Sequence, residues 1–430
     1  MSMFLSAGIV LGVMVAVYLL ARRFTPSTEL SMLAAAFAGA LAGGFWFPVR
    51  HIAEGAITYL DINLIFITAT LFMAILKESG GVAFVLRSIL RRFHKNRVVL
   101  LILLAVLLLI PGAFTGAGSV TVLITGGMVA TVLHYMGISK VRTAAIVFMV
   151  AGMSAAAPPV SLWAMLTAAG VNMPYVGFFY PLLLPCVIVS LFTIFLLGWR
   201  GASINVEKAL EDLPLPPARM NWVRVLLPFG ILLALIIAGR RWPFSAPITG
   251  LPLMFLCAAA ASFLLSPTPL KILRISRDTI EQLLPLIATL TCAGIMVQIM
   301  TLTGVRGLLA VTAVTLPVGV VLATLFIFLP VSEALLMYAA APVLGVPLAL
   351  LFNTIGLNPI IALAGMSIIW PLGDALPPTA IIGRLTVDVV GWRGSYAEFL
   401  KCCLIPALLA MGLGTLMVVF SAKLGFLTGL

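Results

Sequence analysis

The sequence predicts an all-α polytopic membrane protein built from two inverted-topology repeats. Hydrophobic residues make up 63% of the 430 residues and charged residues only 9%, whereas a soluble domain carries about 25% charged residues. Apolar runs of about 20 residues, the length of a membrane-spanning helix, recur from end to end. Pro111 and Pro330 each lie 47 residues ahead of a Pro-Pro pair, at Pro158 and Pro377. This repeated spacing of helix breakers predicts one membrane unit used twice.

Composition also excludes other classes. The alternating segments of about 10 residues that form transmembrane barrels are absent. The net charge of +12 fits basic residues in cytoplasmic loops better than a nucleic-acid surface. The five cysteines lie in apolar stretches without metal-ligand spacing, so we expect small core residues rather than disulfides. The first apolar segment lacks a basic start and is expected to be a retained helix.

The first repeat is expected over 1–199, with five crossings and one re-entrant hairpin. The amphipathic stretch 81–94 is expected to lie in the membrane interface. The hairpin is placed at 97–135, with its break at 111–119 (PGAFTGAGS), because the arm before Pro111 is shorter than the about 20 residues that a crossing needs. The crossings are predicted at 4–21, 29–48, 57–76, 143–170 and 175–199, the fourth being broken at Pro158 and Pro159.

The second repeat is expected over 223–430, after a charged, cytoplasmic, proline-containing linker at 200–222. An interfacial stretch is predicted at 268–279. The second hairpin is predicted at 307–353, with its break near Pro330. The crossings are predicted at 223–239, 246–266, 281–302, 359–390 and 399–421, the fourth being broken at Pro377 and Pro378.

Charge sets the orientation. Five crossings per repeat insert the two halves in opposite directions, with both termini outside. Of the 25 Lys and Arg residues, this arrangement places 19 inside and 5 outside, with Arg384 within a crossing, as the positive-inside rule requires. The bias also supports both hairpins, because a further crossing at either place would invert everything after it.

The first hairpin tip has the composition of a ligand site. Its glycines allow close approach of the backbone, and the second arm begins near Ser119 with free N–H groups that favour an anion. The carbonyl groups before Pro111 are available to a cation. The alternative is a glycine-rich kink that packs helices. The glycines are Gly112, Gly116 and Gly118, and hydroxyl groups stand at Thr115, Ser119 and Thr121.

The broken crossings and the second tip bring rarer groups to membrane depth. Ser161 and Thr379 follow the two Pro-Pro breaks. Ionisable residues at depth are functional candidates, so Glu333 is expected to take part in cation or proton coupling, against a structural salt bridge as the alternative. Asp374 is also expected to take part in cation or proton coupling, with helix capping as the alternative. Arg384 pairs either with a substrate carboxylate or with Asp388 at i,i+4.

Paired helix breaks in two halves are the best sequence pointer to a transporter's binding site. A membrane-embedded enzyme is the alternative from another class, but only Glu333 and Asp374 qualify as buried catalytic groups, so no enzyme is expected. A channel is disfavoured by two closed hairpins and the lack of a charged ring.

Three motifs together resemble the large membrane subunit of TRAP transporters, in the ion transporter superfamily. Residues 111–121 (PGAFTGAGSVT) resemble that family's first hairpin tip, and 156–161 (AAPPVS) its mid-helix Pro-Pro-Ser. Residues 356–359 (GLNP), followed by Pro377 and Pro378, resemble its second-half pattern. The sequence departs from the family at the second tip, where Phe328 and Leu329 lead into Pro330 and the acid is Glu333.

The resemblance implies an elevator-type transporter of organic acids, often dicarboxylates, coupled to Na⁺, in the cytoplasmic (inner) membrane of a bacterium or archaeon. It also implies a small four-helix membrane subunit and a periplasmic substrate-binding protein as partners. A stand-alone Na⁺- or H⁺-coupled carboxylate or oxyanion permease remains the alternative. The predicted substrate residues are Ser119, Thr121, Ser161, Thr379 and Arg384. The predicted Na⁺ residues are Pro111, Gly112, Thr115, Gly116, Gly118, Ala157, Pro158, Pro330, Ser332, Glu333, Asp374, Leu376 and Pro377.

Overall fold

The computed structural model describes residues 3–25, 27–200, 205–242 and 249–429. Nine helices in these ranges are long and apolar enough to cross a membrane, which confirms the polytopic helical class. The first half contains α1 Met3–Phe24, α2 Thr28–Ala42, α3 Val49–Ile57, α4 Leu60–Glu78, α5 Gly81–Phe93, α6 Arg97–Thr115, α7 Gly118–Thr121, α8 Gly127–Tyr135, α9 Lys140–Ala156, α10 Leu162–Gly170, α11 Phe179–Gly198 and, in the linker, α12 Val206–Asp212. The second half contains α13 Trp222–Arg241, α14 Leu251–Leu264, α15 Ile272–Leu302, α16 Val305–Thr315, α17 Val318–Leu336, α18 Val346–Thr354, α19 Pro359–Ile369, α20 Ile381–Val390 and α21 Tyr396–Val419.

The same order of elements occurs in both halves. Gly80 (φ 83°) precedes α5 and Gly304 (φ 78°) precedes α16, both in the left-handed conformation. A long helix follows, then a π-helical segment at Val122–Gly126 or Ala341–Gly345, a nine-residue helix and a broken helix. The matching order of elements accompanies the matching proline spacing.

Two groups of helices can be distinguished by their main packing contacts, although one hydrophobic core joins them. In the first group α15 packs against α2, α3 and α4, and α14 packs against α4. Glycines allow the backbones to touch, since a Cβ on Gly294 would lie 2.2 Å from the oxygen of Gly55. In the second group α9 packs against α6, α11 and α21, and α21 packs against α19. There a Cβ on Gly365 would lie 2.5 Å from the oxygen of Gly414.

The linker is fastened to the first half by α5. This helix buries Val82, Leu86 and Leu90, and its buried Arg87 donates to the carbonyl oxygens of Leu210 at 2.7 Å and Leu213 at 2.8 Å. The first of these carbonyl groups belongs to the last turn of α12, and the second follows the helix. The guanidinium group therefore satisfies backbone acceptors at a helix C-terminus. Residues 201–204 of the predicted linker lie outside the described ranges.

Several boundaries differ from the sequence predictions. The predicted interfacial stretch 268–279 and crossing 281–302 merge into the single helix α15, which continues through Pro285, because one proline removes only one backbone donor. The predicted crossing 29–48 ends earlier, at Gly43 and Gly44, and the following residues form α3. The start of the predicted crossing 246–266 lies outside the described ranges, and α14 covers Leu251–Leu264.

The second hairpin begins later than predicted. Residues 307–315 belong to the separate helix α16, and the chain turns at Leu316 and Pro317 before α17 starts at Val318. Pro317 is the N-cap of α17. At this position its missing backbone N–H does not remove a hydrogen bond from the helix. Hairpin 1 is used below for 97–135 and hairpin 2 for 318–354.

Candidate functional site

The second arm of each broken helix packs against the hairpin of the other half. Helix α10 lies on the π-helical segment of hairpin 2, where Thr167 Oγ1 donates to the oxygen of Ala341 at 3.4 Å. Helix α20 lies on hairpin 1, where a Cβ on Gly118 would come within 3.1 Å of Ile382 Cδ1. Both tips and both breaks therefore meet in one region of the second group of helices.

The first tip lies within its predicted break, towards the C-terminal end of that segment. Helix α6 continues through Pro111 to Thr115, and Gly116 ends it in the left-handed conformation (φ 68°), with its N–H donating to Gly112 O at 2.6 Å. A left-handed glycine closes a helix at no steric cost, so the turn falls at Gly116 and Ala117. The oxygen of Pro111 accepts a hydrogen bond from Thr115 Oγ1 at 2.8 Å, so it is not an unpaired carbonyl group.

The first tip and the first break are held together by hydrogen bonds. The N–H of Val160 donates to Ala113 O at 3.0 Å, and the hydroxyl groups of Thr121 and Ser154 lie 2.8 Å apart. Gly112 makes this approach possible, since a Cβ there would lie 2.0 Å from Ser154 Oγ. In both breaks the Pro-Pro peptide bond is cis.

The second tip and the second break pack equally closely. Helix α17 continues through Pro330 to Leu336, and the chain turns at Met337 (φ 54°, ψ −145°) rather than at Pro330. A Cβ on Gly373 would lie 2.3 Å from Pro330 O and 2.6 Å from Glu333 Cβ. Thr379 Oγ1 donates to Ala334 O at 3.0 Å. The predicted substrate residue Thr379 therefore ties the break to the hairpin.

The two acids near the second tip and the second break are buried and form no ion pair with the described residues. Glu333 is 0% and Asp374 is 3% exposed. Trp163 Nε1 donates to Glu333 Oε2 at 3.0 Å, while Glu333 Oε1 and Asp374 Oδ2 have no hydrogen-bond partner in the described ranges. The ion pairs found there are three i,i+4 pairs on the surface. The structure therefore contains no salt bridge to Glu333 within the part it describes.

The predicted substrate residues occupy different environments. Ser119 is half-buried at the start of the second arm of hairpin 1. Ser161 is fully buried, and its N–H donates to Tyr175 Oη at 3.2 Å while its hydroxyl oxygen has no partner among the described residues. Arg384 is exposed and forms no ion pair with Asp388, since both residues are described and the surface pairs do not include them.

The remaining predicted cation residues line the tips and breaks. Ser332 Oγ donates to Leu329 O at 2.7 Å and lies 3.3 Å from Trp370 Nε1. Ala157 and Pro158 are buried, whereas Leu376 is half-buried and Pro377 is exposed. The second break is thus more open than the first.

Sequence reasoning missed the indole donors of this region. Trp163 and Trp370 are both fully buried, and each directs its N–H to a polar residue of hairpin 2. A buried tryptophan needs a partner for its N–H, and Trp163 lies two residues after Ser161. Its position beside a helix break is the sequence feature that could have identified Trp163 as a donor in this region.

A cavity of about 480 Å³ lies between the two groups of helices. Its walls come from α4, from hairpin 1 at Val120 and from the start of α15, and they include Lys77, Lys271 and Arg274. Lys77 Nζ donates to Leu123 O at 2.8 Å, in the π-helical segment. This contact joins α4 to hairpin 1 close to Thr121.

Sequence comparison matches residues 46–212 to the family described as DcuC, C4-dicarboxylate anaerobic carrier. The matched segment contains hairpin 1 and the first break. No curated protein sequence matches the chain significantly.

Two solved transporters share the fold. The YdaH transporter of Alcanivorax borkumensis is 14% identical, with a TM-score of 0.62 over 87% of each chain. MtrF of Neisseria gonorrhoeae, described among antimetabolite efflux pumps, is 12% identical, with a TM-score of 0.57 over 86% of this chain and 83% of MtrF. At these identities the two structures indicate the fold alone. Together with the apolar helices, the DcuC match supports a multi-pass membrane protein of the transporter type.

Proposed function

We propose that this protein is a secondary active transporter of a small organic anion of the C4-dicarboxylate class, coupled to Na⁺. The proposal rests on one observation. In this membrane protein, the N-termini of helices that lack side-chain caps lie in the same region as two buried acids that form no ion pair with the described residues. Helices α7, α10 and α20 all begin without a side-chain hydrogen bond at the N-cap. Their free N–H groups attract a carboxylate, and the acids attract a cation.

The substrate is placed at Ser119, Thr121 and Ser161, where the unpaired hydroxyl of Ser161 accompanies the start of α10. The match of the DcuC family to this part of the chain supports a C4-dicarboxylate. The coupling cation is placed at Glu333 and Asp374, whose unpartnered oxygens are hard ligands suited to Na⁺. Arg384 is exposed and is not included in the proposed substrate site.

We further propose that the halves are inverted repeats and that the hairpins move with the broken helices as one elevator unit. The cross-packing of α10 and α20 on opposite hairpins supports a unit that moves together. The TRAP assignment predicts that a small subunit and a binding protein are required, whereas a stand-alone permease works without them. Uptake by the purified chain alone separates these two possibilities.

Transport in proteoliposomes tests the function. We expect uptake of a C4-dicarboxylate such as succinate or fumarate, stimulated by an inward Na⁺ gradient and not by a K⁺ gradient. A pH gradient without Na⁺ tests H⁺ coupling in the same vesicles. Absence of uptake for every organic anion under all three gradients, with and without partner proteins, contradicts the proposal.

Variants test the site in the same assay. We expect Ser119→Ala to abolish uptake and Glu333→Gln to abolish or uncouple it, with both proteins still folded by size-exclusion chromatography. Glu281→Gln is the matched control, because Glu281 is an exposed acid paired with Arg277 at 2.7 Å. Unchanged uptake in both site variants refutes the site.

A further inference from the structure

Trp163 links the substrate half-site to the cation half-site. Its indole N–H donates to Glu333 Oε2 at 3.0 Å, and its ring lies against that of Tyr338, with the centroids 5.5 Å apart. The side chain is 0% exposed. A hydrogen bond to a carboxylate is stronger than one between neutral groups, and the burial of both residues strengthens it further.

This bond makes the two oxygens of Glu333 unequal. Oε2 is held by Trp163, while Oε1 has no partner in the described ranges. The close contact of Glu333 Cβ with Gly373 places the carboxylate beside the segment that carries Asp374. The indole therefore selects the carboxylate orientation and leaves one oxygen for a ligand.

Among the described residues, the contact at the matching place in the other half is apolar at its closest points. Where α20 meets hairpin 1, the neighbours of Gly118 and Gly127 include the apolar side chains of Ile382 and Val389. Where α10 meets hairpin 2, Trp163 and Thr167 both form hydrogen bonds. The start of α10 is also the place where Ser161 offers its unpaired hydroxyl. A change at Ser161 thus reaches Glu333 through a single helical turn.

We propose that Trp163 is a positioning residue that orients Glu333 for the coupling cation and transmits substrate binding at Ser161 to that cation. The inference rests on the proposed function and assigns coupling to the indole side chain of Trp163, which is not among the proposed ligands of the substrate or of the cation. When a carboxylate occupies Ser161, the first turn of α10 is fixed, and with it the indole and the free oxygen of Glu333.

Trp163→Phe tests the role, because it keeps an aromatic ring and removes the N–H. We expect the Na⁺ concentration for half-maximal uptake to rise about tenfold, equivalent to about 1.4 kcal/mol, because Glu333 loses the hydrogen bond from the indole. The substrate KM at saturating Na⁺ is expected to stay within about twofold of the wild type. The Na⁺-dependent rise in melting temperature of the purified protein is expected to shift to higher Na⁺ in parallel.

Trp370→Phe is the matched control, since Trp370 is an equally buried tryptophan whose N–H meets the Ser332 hydroxyl instead of an acid. Its Na⁺ dependence is expected to change less than that of Trp163→Phe. Equal shifts in both variants, or no shift in Trp163→Phe, overturn the inference. A wild type without Na⁺-stimulated uptake instead overturns the proposed function.

A measurement on the wild type guards against a variant that does not fold. Tryptophan emission of the purified protein is expected to change saturably with Na⁺, and this change is expected to vanish in Glu333→Gln. A Na⁺-stimulated wild type whose emission does not respond to Na⁺ contradicts the link between Trp163 and the cation.

Discussion

Ser161 carries a buried hydroxyl oxygen with no partner in the described part of the chain. An unsatisfied buried polar group costs about 1–3 kcal/mol, so folding gains nothing from this oxygen until a ligand binds it. We predict that Ser161→Ala leaves the melting temperature unchanged or raises it, while the substrate KM rises about tenfold for the loss of about 1.4 kcal/mol. Melting curves and uptake kinetics on one preparation measure both.

Ser190→Ala is the control for Ser161→Ala. Ser190 is also fully buried with an unpartnered hydroxyl, but it lies on α11. Its replacement is expected to affect stability in the same direction and to leave KM unchanged. A KM for Ser161→Ala equal to that of the wild type would remove this residue from the substrate site.

Gly112 is the residue on which the contact between hairpin 1 and the first break depends. An alanine Cβ there would lie 2.0 Å from Ser154 Oγ and 2.8 Å from Thr121 Oγ1, and the Ser154 hydroxyl is already tied to Ala151 O at 2.6 Å. Overpacking of this kind costs about 1–3 kcal/mol. We predict that Gly112→Ala lowers the melting temperature and abolishes uptake, both measured on the purified protein.

A second glycine of the same hairpin serves as the comparison. A Cβ on Gly127 would have its nearest neighbour, Val389 Cγ1, at 3.4 Å, which is an ordinary contact. Gly127→Ala is therefore expected to keep both stability and uptake. Wild-type uptake in Gly112→Ala would show that the tip opens without cost.

At the scale of elements, sequence reasoning located the broken helices and the tip of hairpin 1, but placed the tip of hairpin 2 too early in the chain. Pro158 and Pro377 break their helices as predicted, because each belongs to a Pro-Pro pair that removes two donors at once. Pro111 and Pro330 are single prolines, and their helices continue through them. Gly116 and Met337 make the turns instead, and the unusual φ of Met337 (54°) is imposed by packing that a sequence pattern does not reveal.

The contact between α4 and the π-helical segment of hairpin 1 is a second feature of this scale. Lys77 Nζ donates to Leu123 O at 2.8 Å, across the cavity between the two groups of helices. Because Lys77 is exposed, a net contribution of about 0.5–1.5 kcal/mol is expected. We predict that Lys77→Met raises amide hydrogen exchange in 122–126 about two- to tenfold, as measured by mass spectrometry.

Lys271→Met is the control for that prediction, since Lys271 lines the same cavity and its side chain forms no hydrogen bond in the part of the chain described. Its exchange in 122–126 is expected to match the wild type. Equal exchange in all three proteins would show that Lys77 does not restrain the hairpin.

At the scale of the molecule, function depends on how the halves are inserted. The recurrence of elements from α1–α11 in α13–α21 brings the two tips and the two breaks to one place whichever way the halves insert. Under the proposed opposite insertion, the N-termini of helices from the two halves also point at this place from opposite sides of the membrane. That geometry exposes one site alternately to the two sides, as in inverted-repeat transporters.

Side-specific labelling tests this insertion. Arg50 and Lys423 are predicted outside and Lys95 and Lys401 inside, and all four are exposed. Each is replaced by cysteine after the five natural cysteines have been replaced by serine or alanine. A membrane-impermeant maleimide is expected to label Arg50→Cys and Lys423→Cys in intact cells, and the other two only after permeabilisation. Because Lys401 follows both hairpins in the chain, its labelling in intact cells, with Lys95→Cys protected, would mean that one hairpin crosses the membrane, and the inverted arrangement would then be wrong.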